Sequence, residues 1–195
     1  MNRIVVTGGS SKTRQIIVKT LSLITDYTII RPSSFASVSI KYGVNKTLNE
    51  CNFDEIFLYV LSSYTERLEA EQHLDQYISD GFVLYEPCIM EAYSMRSTVS
   101  SRRKKEMLSM CQSLTKIAAE YAAKKYNLVI HIQENNFEYA DTNKIIESYI
   151  AKYNLPSIIY NKNDMLELIN SALDKANIKP CISAKSALEK VIKNT

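Results

Sequence analysis

The fold of this chain is predicted most directly by the stretch IVVTGGSSKTRQIIVKTL, residues 4–21. The stretch opens with a short apolar run, which is typical of a buried strand, and the neighbouring Gly8 and Gly9 favour a turn directly after it. Beyond the turn, Ile17 and Leu21 recur at the spacing that one face of a helix requires. We therefore predict a strand, a tight turn and a helix in that order.

The same alternation continues along the chain. Further strands are predicted at 26–32, up to Asp80, at 127–132 and at 155–160, and helices at 52–77, 101–126, 141–154, 163–177 (with Asn163 as the N-cap) and 183–194. Strands that alternate with helices favour a parallel sheet that is covered on both faces. We predict one α/β domain over residues 1–195, in which 175–195 form a C-terminal helical extension.

The bulk composition limits the classes of partner. The formal net charge of +3 is too small to favour a nucleic acid or a membrane surface. An apolar run of about 18 residues, as a membrane-spanning helix needs, is missing, and the start of the chain shows no signal-peptide pattern. We expect free thiols in a reducing cytoplasm, because the four cysteines are far apart in sequence. A homo-oligomer is compatible with the sequence.

The turn after the first strand resembles a phosphate-binding loop. Such loops follow the pattern GxxxxGK[ST], in which backbone N–H groups and the lysine bind phosphates and the Ser or Thr hydroxyl binds Mg²⁺. Lys12 and Thr13 supply the last two residues of this pattern. The loop is two residues short, however, and Ser11 replaces the glycine before the lysine. The candidate nucleotide-binding residues are Gly8, Gly9, Ser10, Ser11, Lys12 and Thr13, and an ordinary strand–turn–helix connection is the alternative.

A second resemblance is to the short-chain dehydrogenases. VTGGSS is similar to their opening TGxxxGxG, and Tyr121 and Lys125 have the spacing of their YxxxK catalytic pair. Lys12 and Arg14, however, occupy the positions of the later glycines, which let the backbone approach a pyrophosphate. A strand is also predicted directly after Lys125, where the dehydrogenases continue a long helix. NADP binding is therefore the lesser alternative.

Two of the predicted strands end in polar residues. The first strand ends at Thr7–Gly8 and the third at Ser79–Asp80. Ligands of open α/β sheets bind beyond the carboxyl ends of the strands. We therefore expect the turn after the first strand to lie close to Asp80.

The middle of the chain, residues 57–95, resembles the P-loop nucleoside- and nucleotide-kinase-like AAA ATPases, which are related to nicotinamide-riboside and thymidylate kinases. The similar pieces are the glutamate-rich helix end at 66–71, the strand end Ser79–Gly81 and the apolar helix at 89–93. The strand at 126–132 and the helix–strand pair at 144–160 are similar too, so that the resemblance covers roughly residues 1–175. This resemblance implies a three-layer P-loop fold, ATP and Mg²⁺ as cofactors, and phosphoryl transfer to a small nucleoside or nucleotide. It also implies that Lys12 contacts the outer phosphates, that Thr13 holds Mg²⁺, and that Asp80 either acts on the metal or accepts the proton of the substrate hydroxyl, with Lys12 and Asp80 as the catalytic residues.

The resemblance further implies an acceptor pocket, for which Arg31, Glu66 and Arg96 are the candidate residues. Two departures weaken the prediction of catalysis. Gly81 stands where many relatives have an arginine, and the lid segment 133–144 has no arginine. A degenerate module that binds a nucleotide or a protein without turnover is therefore the alternative.

Several charged or polar residues are predicted to have structural roles only. We expect Arg14 on the helix surface and the run Arg102–Lys105 on a solvated helix face, with a contact to phosphates as the alternative for each. His131 is expected to be packed within a strand. Glu66, Glu69 and Glu71 are expected to face either the acceptor pocket or solvent.

Overall fold

The computed structural model describes residues 2–8, 11–31, 33, 35–43, 46, 50–96, 99–133, 140–161 and 164–195. In this part of the chain the strands are β1 (Asn2–Gly8), β2 (Thr28–Ile30), β3 (Gln76–Asp80), β4 (Leu128–Ile132) and β5 (Ser157–Tyr160). They form one sheet in the order β2-β3-β1-β4-β5, and every neighbouring pair is parallel. The predicted parallel sheet is confirmed.

Helices cover both faces of the sheet. They are α1 (Ser11–Thr25), α2 (Phe35–Lys41), α3 (Phe53–Gln72), α4 (Tyr85–Arg96), α5 (Ser101–Lys125), α6 (Ala140–Lys152), α7 (Met165–Lys175) and α8 (Ala184–Lys193). On one face α1, α7 and α8 pack against Ile4, Val6 and Ile78. On the other face α4, α5 and α6 pack against Val5 and Tyr77 and their neighbours. Side chains that alternate along each strand thus contribute to two apolar layers, one on each face of the sheet. The predicted three-layer α/β class requires this arrangement.

Local capping explains where several helices begin. Asn52 and Glu55 form a reciprocal capping box at the start of α3. At the start of α7 the side chain of Asp164 accepts from the N–H groups of Leu166 and Glu167. The cap of α7 is therefore Asp164, and the expected N-cap Asn163 lies outside the described residues.

Two details of the secondary structure differ from the sequence-based expectation. The helix expected over 52–77 ends at Gln72, because Gln76 and Tyr77 pair with β1 and Tyr77 is fully buried in the sheet. Pairing within the sheet therefore overrides the helical pattern here. Helix α2 was not predicted, since it has only seven residues and too little length to show a helical period.

The C-terminal helix is part of the core. Ala184 and Ala187 on α8 belong to the same buried cluster as Ile17 and Leu21 on α1. The four cysteines are free, as expected. Among the described residues, no helix is long and apolar enough to cross a bilayer.

Candidate functional site

The carboxyl ends of β1 and β3 lie side by side, as predicted. Val6 is opposite Asp80, and the N–H of Gly81 donates to the carbonyl of Val6 at 2.8 Å. The helices that follow the two strands, α1 and α4, pack on opposite faces of the sheet. Ligands of open α/β sheets bind at such a switch point. This edge is therefore the candidate site.

Gly8 makes the turn after β1 possible. Its φ of +74° lies in the region that favours glycine. A Cβ on Gly8 would lie 2.3 Å from the carbonyl oxygen of Ile132 and 3.3 Å from the His131 ring. The backbone therefore passes too close to β4 for any side chain at position 8.

Buried polar atoms lie beside the end of β1. Thr7 and His131 are paired in the sheet and fully buried. Neither the Thr7 hydroxyl nor the ring nitrogens of His131 have a hydrogen-bond partner in the described structure. Burial lowers the pKa of His131, although Glu147 at 3.6 Å acts in the opposite direction. The expected packed histidine is confirmed, and it is neutral at neutral pH.

The first turn of α1 presents positive charge to this edge. Lys12 is exposed, Thr13 is half-buried, and the turn has no acidic residue. A helix N-terminus of this kind attracts anions through its free N–H groups and its dipole. Gly9 and Ser10 lie outside the described residues, as does the side chain of Ser11.

Arg14 pairs with Asp80 at the centre of the edge. Its Nε lies 2.6 Å from Oδ1 of Asp80, and one terminal nitrogen donates to the carbonyl of Gly8 at 3.4 Å. The side chains are 23% and 7% exposed, so water screens the pair only in part. The expectation that Arg14 belongs to the helix surface is therefore wrong. Its partner is 66 positions away in sequence, which no local pattern reveals.

The residues of the edge fit a divalent cation poorly in this arrangement. Mg²⁺ prefers several oxygen ligands in octahedral geometry, and one oxygen of Asp80 already faces a guanidinium. Within the described ranges, no three or more His, Cys, Asp or Glu residues cluster as a metal site would require. Mg²⁺ at Thr13 and Asp80 stays a prediction.

The candidate acceptor residues are only partly brought together. Glu66 on α3 accepts from Ser33, beyond the end of β2, and from Lys41 on α2 at 2.8 Å. These hydrogen bonds, first that from Lys41, lower the pKa of Glu66. Arg31 is exposed directly after β2. The side chain of Arg96 lies outside the described structure.

A second arginine near the edge was missed by the sequence reasoning. Arg67 on α3 is 3% exposed and donates to Ser79 Oγ at 2.6 Å and to the carbonyl of Gly81 at 2.9 Å. Its other terminal nitrogen lies 2.9 Å from the place that a Cβ of Gly81 would take. The guanidinium thus fills the space beside the strand end. An arginine within a charged helical segment gives no sequence signal for such burial.

The same helix carries a buried carboxylate. Glu71 is 2% exposed and accepts from the hydroxyls of Tyr77, Tyr121 and Tyr126 at 2.9–3.1 Å and from Ser79 at 3.3 Å. Burial, assisted by the charge of Glu71, raises the pKa of each tyrosine, which keeps the hydroxyls protonated as donors. The expectation that Glu71 faces a pocket or solvent is wrong.

Comparisons with known proteins identify the fold. No family model and no curated protein matches the chain. Among solved structures, deoxyadenosine kinase from M. mycoides with bound dATP is similar over 90% of this chain and 99% of its own, with a TM-score of 0.63 and 16% identity. NadR protein in complex with NAD and AMP-PNP is similar over 91% of this chain, with a TM-score of 0.61 and 10% identity. This chain spans 50% of that NadR chain.

These likenesses show that the chain has the fold of the P-loop nucleoside kinases. The same fold argues against the dehydrogenase alternative. In dinucleotide-binding Rossmann folds the second strand lies beside the first, whereas here β3 separates β2 from β1. The hydroxyl of Tyr121, the candidate catalytic tyrosine, donates instead to Glu71 at 2.9 Å.

Proposed function

We propose that this protein binds a nucleoside triphosphate at the turn between β1 and α1 and transfers its terminal phosphoryl group to a small nucleoside or nucleotide. One observation carries the proposal. Lys12 lies in the acid-free first turn of α1, at the switch point of the sheet, and Asp80 lies across from this turn. An anion-binding helix end beside a carboxylate is the arrangement that phosphoryl transfer uses.

Each residue has a defined task in this proposal. Lys12 neutralises the β- and γ-phosphates, and the N–H groups of α1 hold phosphate oxygens. In the transfer, the bond from the γ-phosphorus to the bridging oxygen breaks, and the acceptor hydroxyl oxygen forms the new bond to phosphorus. The hydroxyl proton passes to a carboxylate, for which Asp80 is the candidate. Glu66, with Arg31 and Arg96, is proposed to contact the acceptor.

The ligands of the similar structures support a nucleotide as the bound molecule. The two deoxyadenosine kinase structures hold dCTP or dATP, and one NadR structure holds AMP-PNP together with NAD. Mg²⁺, which the P-loop resemblance implies, would shield the transferred group in such a site. The pair between Asp80 and Arg14 argues against that cofactor here.

Calorimetric titration of ATP into the wild type and Lys12→Ala tests the binding step. We expect micromolar binding that Lys12→Ala weakens at least about a hundredfold, since a charge-assisted contact to the phosphates is lost. NADPH serves as the control ligand. The absence of ATP binding at millimolar concentration would remove the proposal, and NADPH binding in its place would favour a dehydrogenase.

A second candidate is a nucleotide-binding protein without turnover. The observation that favours it is again the pair between Arg14 and Asp80, because Oδ1 of this carboxylate already accepts a hydrogen bond from a guanidinium and is not available to a substrate hydroxyl. A screen of nucleosides and nucleotides for transfer of the labelled γ-phosphate separates the two candidates, with Asp80→Asn as the control. Labelled product that the Asp80→Asn variant fails to make supports the kinase. Tight ATP binding without product supports the second candidate.

A further inference from the structure

We propose that Arg14 takes the place of a divalent metal ion in this site, so that the triphosphate binds to Lys12 and Arg14 without Mg²⁺, and that Asp80 positions Arg14 through Oδ1 in addition to its proposed role as proton acceptor. This inference rests on the proposed nucleotide binding and specifies how the site neutralises its ligand. Arg14 lies beside Asp80, the residue at which the P-loop resemblance implies Mg²⁺.

The position of the guanidinium is the first argument. Arg14 contacts Oδ1 of Asp80 at 2.6 Å and the carbonyl of Gly8 at 3.4 Å. It therefore connects the first residue of the turn with the carboxylate at the end of β3. A metal ion that joined bound phosphates to Asp80 would have to lie in the same region.

The remaining hydrogen-bonding capacity of Arg14 is the second argument. A guanidinium has five N–H donors in a planar fork. Arg14 uses Nε for Asp80 and one terminal nitrogen for Gly8. Its side chain is 23% exposed, so the fork is accessible to a ligand from solvent. Arginine forks of this kind bind phosphate oxygens in pairs.

The charges at the edge are the third argument. Lys12 and Arg14 supply two positive charges, the dipole of α1 adds to them, and Asp80 is the single carboxylate paired there in the described structure. The balance is positive before any metal binds, which suits a polyanionic ligand. Mg²⁺ at Asp80 would instead have to displace a charge-assisted hydrogen bond, and it would then repel the displaced guanidinium.

The test measures ATP binding by calorimetry with Mg²⁺ in excess and with EDTA in excess. The proteins are the wild type, Arg14→Gln, Arg14→Lys and the control Lys124→Gln. Lys124 is exposed in the last turn of α5, directly before the amino end of β4, so its replacement removes one positive charge at the opposite end of the sheet. Thermal unfolding of each variant establishes that it is folded.

We expect the wild type to bind ATP in EDTA within about threefold of its affinity with Mg²⁺, and the Lys124→Gln variant to behave in the same way. Arg14→Gln should lose at least about tenfold in affinity in EDTA. Mg²⁺ should restore much of that loss, because Asp80 is then free to hold the ion. Arg14→Lys should be intermediate, since it keeps the charge but loses the fork.

Two outcomes overturn the inference while leaving the proposed function intact. One is wild-type binding that falls tenfold or more in EDTA. The other is Arg14→Gln binding that equals the wild type in EDTA. If the wild type binds ATP under neither condition, the proposed function itself fails and the inference fails with it.

Discussion

The two faces of strand β3 hold their carboxylates in different ways. On the α1 face, Asp80 is paired with one partly exposed arginine, Arg14. On the opposite face, Glu71 accepts four hydroxyl hydrogen bonds, two from β3, one from α5 and one from the residue directly after α5. Arg67 also contacts one of these donors, Ser79. Both carboxylates are buried, but the surroundings of Glu71 are closed while those of Asp80 open towards solvent.

The difference separates a structural group from a functional one. Every donor around Glu71 is a neutral hydroxyl, three of the four belong to buried side chains, and Glu71 itself is 2% exposed. Asp80 lies where the sheet ends, beside a cation that can turn towards a ligand. Replacements on the two faces should therefore differ in what they change: stability at Glu71, and ligand binding at Asp80.

The largest loss of stability is expected for Glu71→Ala. This change leaves the hydroxyls of Tyr77, Tyr121 and Tyr126 buried without their acceptor, and each such group costs about 1–3 kcal/mol. We expect the free energy of unfolding in urea to fall by about 3–5 kcal/mol. The exposed Glu69 lies on the same helix and provides the control. Glu69→Ala should change the free energy of unfolding by less than about 0.5 kcal/mol. Equal effects would show that the network around Glu71 does not stabilise the fold.

Gly81→Ala should have the next largest effect. Gly81 has a φ of +116°, and a Cβ would lie 2.9 Å from the buried guanidinium of Arg67. The loss should be about 2–3 kcal/mol, because backbone strain adds to the displacement of Arg67 from Ser79. Gly43→Ala measures the backbone strain alone, because Gly43 has a φ of +68° and no atom lies within 4 Å of the place that its Cβ would take. A loss of about 1 kcal/mol is expected there, and equal losses in the two variants would exclude the contact with Arg67.

The sequence predicts the sheet well and the charge pairs poorly. The apolar runs of β1 and β4 can be recognised as strands from the local sequence alone. The position of Asp80 at the end of a strand follows from the same kind of pattern. The pairing of Arg14 with Asp80 depends on two strands becoming neighbours, and a local pattern does not contain that information. Arg67 and Glu71 lie in the charged segment ERLEAE, which is typical of a solvated face. Glu71 is buried against tyrosines supplied by β3 and α5, whereas Arg67 is held by Ser79 and the carbonyl of Gly81 at the end of β3.

A double-mutant cycle on Arg14 and Asp80 measures how strongly the two side chains are coupled. Arg14→Gln and Asp80→Asn should each lower the free energy of unfolding by about 1–2 kcal/mol, and the double variant should lose little more than either. The coupling energy should therefore be about 1–2 kcal/mol. Urea unfolding at neutral pH measures all four proteins. A coupling above about 3 kcal/mol would mean that this pair is as closed as the network around Glu71, contrary to a role in ligand binding.

The smallest effect is expected from His131, which lies against Gly8 beneath the edge that holds Asp80. Burial lowers its pKa below the ordinary 6.5, so the unfolded chain takes up the proton first as the pH falls. The contribution of His131 is therefore fully present above about pH 6.5 and is lost as the pH falls from there towards the lowered pKa. Unfolding in urea at pH 7.5, 6.5 and 5.5 should show this loss in the wild type and a flatter profile in His131→Asn.

A second buried group titrates in the opposite sense. Burial raises the pKa of Glu91, which changes stability in the opposite direction as the pH falls. The difference between the wild type and His131→Asn is therefore the informative quantity. Replacement of the exposed His73 by Asn should leave the wild-type profile unchanged. A His131→Asn variant that is as sensitive to acid as the wild type would show that the packed imidazole does not couple the edge of the sheet to pH.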